Sequence, residues 1–140
     1  MSWLEFHRTS GSIYLHAGPV PKTPPNRCPA TVLGGPWPAH NDVASSSRGI
    51  WPNGIYKYAY YKAHAEAGVA PGCRTTAYGC EGIHIFHVAG RSGMGVHAGR
   101  SASVNGLGSR TMGCIRVPEA AMGAINRAHN GDPLSGIVVM

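Results

Sequence analysis

Glycine and proline recur so closely along this chain that few stretches are long enough to build a helix. There are 20 glycines and 11 prolines in 140 residues. Glycine supplies turns and proline removes a backbone donor, so this mix favours many turns and short strands over long surface helices. Apolar residues make up 43% of the chain and run its whole length, which is not the composition of a disordered segment. A chain of this size suits one domain, residues 1–140, and buries roughly two thirds of its unfolded surface, enough for a core without staples.

One stretch departs from this rule, "PEAAMGAINRAHNGDP". Pro118 suits the first helical position and Glu119 the positive end of a helix dipole. Met122, Ile125 and Ala128 recur at a spacing of three, and Asn130-Gly131 with Pro133 is a stop signal. The spacing predicts a helix over 118–130. Elsewhere the pattern is of strands. "SGSIYLHAGPV" alternates around Ile13 and Leu15. Residues 21–49 read as loop, with a short strand near Val32. Pro52-Asn53-Gly54 is a turn leading into a Tyr-rich strand. "AHAEAGVAPGCRTTAYGCEG" reads as a loop or hairpin. "IHIFHVA" sets Ile83, Ile85 and His87 on one face and His84, Phe86 and Val88 on the other, the pattern of a strand buried on both sides. "GMGVHAGR" is a second short strand and "GIVVM" a last one. The expected fold is a mainly β domain with one helix packed on it.

Net charge is +6 with histidine neutral. A basic surface favours polyanions such as nucleic acid, anionic lipid or the acidic bacterial cell wall. The 12 Lys and Arg are scattered, and no nucleic-acid signature is present, so no nucleic-acid partner is expected. The Tyr-rich run reads as packing rather than as a base-stacking platform. No apolar run approaches the ~18–20 residues of a membrane span, so none is expected. The amino terminus lacks the basic start and apolar block of an ordinary signal peptide. The expectation is export by another route, a signal absent from this chain, or retention inside.

Chemistry concentrates in "GVHAGRSASVNGLGSRTMGCIRV", residues 95–117. A loop of small residues leads from His97 to Cys114. A cysteine becomes a nucleophile when an imidazole takes its proton and a nearby cation favours the thiolate. If the segments carrying His97 and Cys114 are sheet neighbours, the two side chains meet. Cys114 and Arg116 share a face of an extended segment. Arg116 is therefore placed to clamp a carboxylate, and Gly113 to let backbone N–H groups approach an oxyanion. The competing expectation is that Cys114 is a buried small hydrophobe and His97 a hydrogen-bonded core or loop residue. With Cys114 free, at most one disulfide forms among Cys28, Cys73 and Cys80, and Cys73 with Cys80 is the best pair. A zinc set of Cys73, Cys80, His84 and His87 is the rival, with loose spacing and its histidines on opposite faces.

The combination of His97, thirteen intervening residues and "TMGCIR" resembles the catalytic motif of the L,D-transpeptidase (YkuD-type) family. "WPNGIY" at 51–56, the helix after 118 and the closing "GDPLSGIVVM" resemble further family features. The resemblance covers residues 50–140 well and the first fifty weakly. It implies a β-sandwich or mixed sheets with one principal helix. It also implies cysteine-dependent L,D-transpeptidase or L,D-carboxypeptidase activity on peptidoglycan stem peptides, through a thioester, with no cofactor. Cys114 would be the nucleophile and His97 the base, held by a backbone carbonyl. Gly113 and Cys114 would supply the oxyanion donors. Arg116, Thr111 and Ser109 would be substrate-side groups. The family's second histidine is Met112 here, so its role is absent or taken by His87 or His84. A short chain beginning "MSW" without an export signal also resembles effectors injected through a type VI secretion apparatus. That implies action in the periplasm or cell wall and an immunity protein in the producer. The alternatives are a housekeeping enzyme and a catalytically silent wall-binding module of the same fold.

Overall fold

The structure, a computed structural model, describes residues 1–23, 31–41, 50–63, 78–99 and 113–140. Cys28, Cys73, Ser109, Thr111 and Met112 lie outside the described residues. Eight strands and one helix are formed among those described: β1 Ser2–His7, β2 Ser12–Ala17, β3 Val32–Pro38, β4 Gly54–Lys62, β5 Ile83–Phe86, β6 Gly95–His97, β7 Ile115–Arg116, α1 Glu119–Gly131 and β8 Leu134–Val139. The strands form one mixed sheet in the order β3-β2-β1-β8-β4-β5-β6-β7. The fold is mainly β with a single helix, as the residue pattern implies. It is one sheet rather than two stacked ones. Leu4 and Phe6 of β1 share a core with Val96 of β6 and Ile115 of β7, so the sheet curls around a common centre.

That core is built by period-two alternation. Leu4 pairs Leu15 and Phe6 pairs Ile13 across β1 and β2. Ile137 and Val139 continue the same face in β8, which runs parallel to β1. Ala121, Met122 and Ile125 of α1 close the core from above, and Ala128 packs beside them. The predicted stripe is thus the buried face of the helix. Its boundaries differ slightly from expectation. Pro118 is the extended cap residue (φ −65°, ψ 156°) rather than the first helical one, and the helix runs through Gly131.

The strand over residues 2–7 is not apparent in the sequence, because Glu5 and His7 break its apolar pattern. Both faces of β1 are in fact covered. Trp3 and Glu5 point away from the main core, yet Glu5 is fully buried. Trp3 stacks on His16 at 4.1 Å, and the Glu5 carboxylate meets the imidazoles of His7 and His16. The last strand lies at the centre of the sheet, between β1 and β4. There Gly136 lets the chains approach, since a Cβ would sit 2.5 Å from the Tyr56 carbonyl oxygen.

Candidate active site

The far end of the sheet brings together the segments that carry His97 and Cys114. β6 and β7 pair in parallel, Val96 with Ile115 and His97 with Arg116. Val117 N–H donates to the His97 carbonyl at 2.9 Å. Cys114 directly precedes β7, so it stands two residues before the partner of His97. By strand geometry the two Cα atoms are roughly 8 Å apart, with both side chains on one face. That face also carries Ile83 and Ile85 of β5, which pack against Cys114. The opposite face carries Val96, Phe86 and Ile115 into the main core. A two-residue strand holds its place because it is bonded on both sides. Arg116 N–H donates to the His40 carbonyl at 2.8 Å, and His40 N–H donates back to Arg116 at 3.1 Å.

His97 is 3% exposed. Its Nδ1 lies 2.6 Å from the Ala98 carbonyl oxygen. A carbonyl only accepts, so Nδ1 carries the proton and the neutral ring presents Nε2 as its basic lone pair. Tyr78 lies against this imidazole, ring centroids 4.9 Å apart. The Tyr78 segment is held in turn by α1. Both Glu119 carboxylate oxygens accept from the Cys80 N–H, at 3.1 and 3.2 Å. Gly79 (φ 77°) packs so closely that a Cβ would sit 2.8 Å from the Gly99 nitrogen. Neither Tyr78 nor Glu119 is apparent as a site residue in the sequence, since each contact joins segments far apart in the chain.

Cys114 is a free thiol, 9% exposed. Its sulfur donates to the Gly93 carbonyl at 3.4 Å. Burial pushes its pKa up, while a backbone hydrogen bond from Gly95 and the charges of Arg116 and Arg91 act the other way. Burial wins, so the resting group is a thiol. Gly113, beside it, has φ 117°, a conformation that excludes an ordinary side chain without strain. Arg116 is buried, 3% exposed. His87 is exposed and lines a cleft of about 570 Å³ together with Ile85, Arg91 and Gly93. Ile85 and Gly93 are the same groups that touch Cys114, so the cleft opens beside the sulfur.

His84 points the other way. Its Nδ1 accepts from the Tyr58 hydroxyl at 2.9 Å and its Nε2 donates to Asn126 of α1 at 2.6 Å. It lies on the helix side of β5 and cannot stand in for a histidine beside Cys114. Cys80 is disulfide-bonded, and with Cys114 free its partner is Cys28 or Cys73, both outside the described residues. Cys80 is so engaged and His84 and His87 lie on opposite faces, so these three members of the zinc set do not converge; the fourth, Cys73, lies outside the described residues. Among the described residues, no group of three or more metal-ligand side chains converges, and no helix is long and apolar enough to cross a membrane.

No family model matches the chain, and no curated protein does. Its fold is similar to the solved structure of Bd1075 from Bdellovibrio bacteriovorus, with a TM-score of 0.57 at 14% identity. The match covers 99% of this chain and 47% of the other, so the chain spans about half the length of that neighbour.

Proposed function

We propose that this chain is a cysteine acyltransferase or peptidase of the L,D-transpeptidase type, acting on the stem peptides of bacterial peptidoglycan. The observation that carries this reading is the parallel β6–β7 pairing. It sets His97, with Nδ1 fixed on a carbonyl, on the same face as Cys114. The motif resemblance supplies the substrate class.

In this reading the Cys114 thiol gives its proton to Nε2 of His97 as the sulfur attacks the carbonyl of an L-centre to D-centre peptide bond. The oxyanion is met by backbone N–H groups around Gly113 and Cys114. The C–N bond then breaks, and His97 returns its proton to the departing amine, leaving a thioester on Cys114. An incoming amine completes transpeptidation, and water completes carboxypeptidase cleavage. A thiol that rests protonated fits a transfer coupled to attack. Thr111, Ser109, Met112 and His87 are proposed substrate neighbours. Action in the periplasm or wall, and an immunity protein in a producing cell, belong to the same proposal and rest on sequence resemblance.

The test is incubation of wild type and Cys114→Ala with disaccharide-tetrapeptide muropeptides, read by mass spectrometry. Loss of the terminal D-Ala, or its exchange for an added D-amino acid, is expected only with wild type. No change in either sample overturns the enzyme reading. The burial of Cys114 favours one second reading, a silent wall-binding module, which predicts pull-down on peptidoglycan without turnover.

A further inference from the structure

The cleft beside Cys114 has one feature that the His–Cys pair does not use. Its wall is largely apolar, from Ala59, Ile85 and Val88, but carries Arg91 and His87. Among the described residues, no carboxylate lines it. Two of the contacts that hold Arg91 lie among the described residues. Its backbone N–H donates to Val88 at 3.1 Å, closing the tight turn after β5, and its Nη1 donates to the Ile50 carbonyl at 2.9 Å. Its charge reaches the Cys114 sulfur. Arg116, a second cation near that sulfur, is almost wholly buried, whereas Arg91 is half-buried and stands on the open wall.

A guanidinium on an apolar wall suits a planar anion. It can donate two parallel bonds to a carboxylate. A neutral amide of the same shape gains neither charge nor fork geometry. We propose that this cleft binds a carboxylate of the acyl donor, gripped by Arg91 with His87 beside it, and that the site discriminates against donors amidated at that position. This inference rests on the reading of Cys114 as the reacting thiol.

The test needs no peptidoglycan chemistry. Iodoacetate and iodoacetamide alkylate a thiolate at the same kind of carbon with loss of iodide, and differ in carrying a carboxylate or its amide. Their rates at Cys114 are read by peptide mass spectrometry, each normalised to free cysteine in solution. The ratio of iodoacetate to iodoacetamide rates is expected to fall about fivefold in Arg91→Gln, the factor a partly exposed ion pair supplies. Arg91→Lys is expected to keep most of the ratio. Loss of the Arg91 charge also disfavours the thiolate, which slows both reagents equally, so only the ratio reads the carboxylate site, and a wild-type circular dichroism spectrum in both variants shows that the fold is intact. On wild type alone, N-acetyl-Ala-D-Ala is expected to protect Cys114 better than its C-terminal amide. An equal ratio in wild type and Arg91→Gln, or equal protection by acid and amide, overturns the carboxylate site and leaves the nucleophile reading standing. A Cys114 inert to both reagents overturns the nucleophile reading, and this one with it.

Discussion

Gly113 shows how much of the site depends on a single backbone angle. At φ 117° it turns the chain so that Cys114 enters β7 with its side chain on the His97 face. An L-residue at such an angle is strained by about 1–3 kcal/mol. Gly113→Ala is therefore expected to lower stability by that order in urea unfolding. The chain relieves strain by rotating that angle, which moves the Cys114 N–H and sulfur together. On the proposed function, turnover of muropeptides should fall by more than the stability loss accounts for, measured well below the unfolding midpoint. A variant as active as wild type would mean that neither the N–H nor the sulfur needs this turn. The neighbouring His97 is fixed by different means, a carbonyl on Nδ1 and the Tyr78 ring. The carbonyl sets the tautomer of the ring and the tyrosine its tilt.

At the scale of elements, β5 divides the molecule's chemistry in two. Its alternation was legible in "IHIFHVA", because a strand covered on both faces repeats apolar residues without a break. Ile83 and Ile85 support Cys114, while His84 binds the helix through Asn126, whose Nδ2 donates on to Glu81. The helix was legible from its stripe and its stop signal. The β1 strand was not, because a buried Glu5 between two histidines imitates a solvent face. The cleft and its Arg91 were not legible either, since they form only when the β5–β6 turn folds back beside β4. The buried His84 network predicts a pH dependence. Burial holds the His84 pKa down at about 4; the Asn126 bond opposes this and His129 adds to it, with Tyr58 and Tyr61 also in contact. The folded state thus binds this proton less readily than the unfolded chain. Stability is full above an ordinary histidine pKa of 6.5 and falls as the pH drops from there to about 4. The loss from this group is roughly 3 kcal/mol. Urea midpoints between pH 7 and 4 should follow that slope, and His84→Leu should flatten it. An unchanged slope in the variant would assign the acid sensitivity elsewhere, with the Glu5 cluster the next place to look.

For the whole molecule, the order of strands matters more than the order of the chain. The first strand and the last are adjacent and central, and β1 alone joins the β2–β3 pair to β8 and the site-bearing half. The motif that suggests chemistry lies in the second half of the sequence, and the resemblance to a known family weakens toward the amino terminus. The packing gives the amino terminus no lesser part. Leu4 is fully buried and Phe6 nearly so, in the same core as Val96 and Ile115. The site-bearing half cut free of residues 1–17 would expose the edge of β8 and open one wall of that core. Such a truncation is expected to give no cooperative unfolding transition and no reactive Cys114. Leu4→Ala, a milder form of the same test, is expected to cost about 2–5 kcal/mol while leaving the Cys114 alkylation rate near wild type in the folded fraction. Calorimetry and peptide-level alkylation on the two proteins would separate these effects. A truncated chain that melts cooperatively and keeps its thiol reactive would show that the sheet from β8 onward folds on its own. The amino-terminal strands would then be an addition to the site's scaffold rather than part of it.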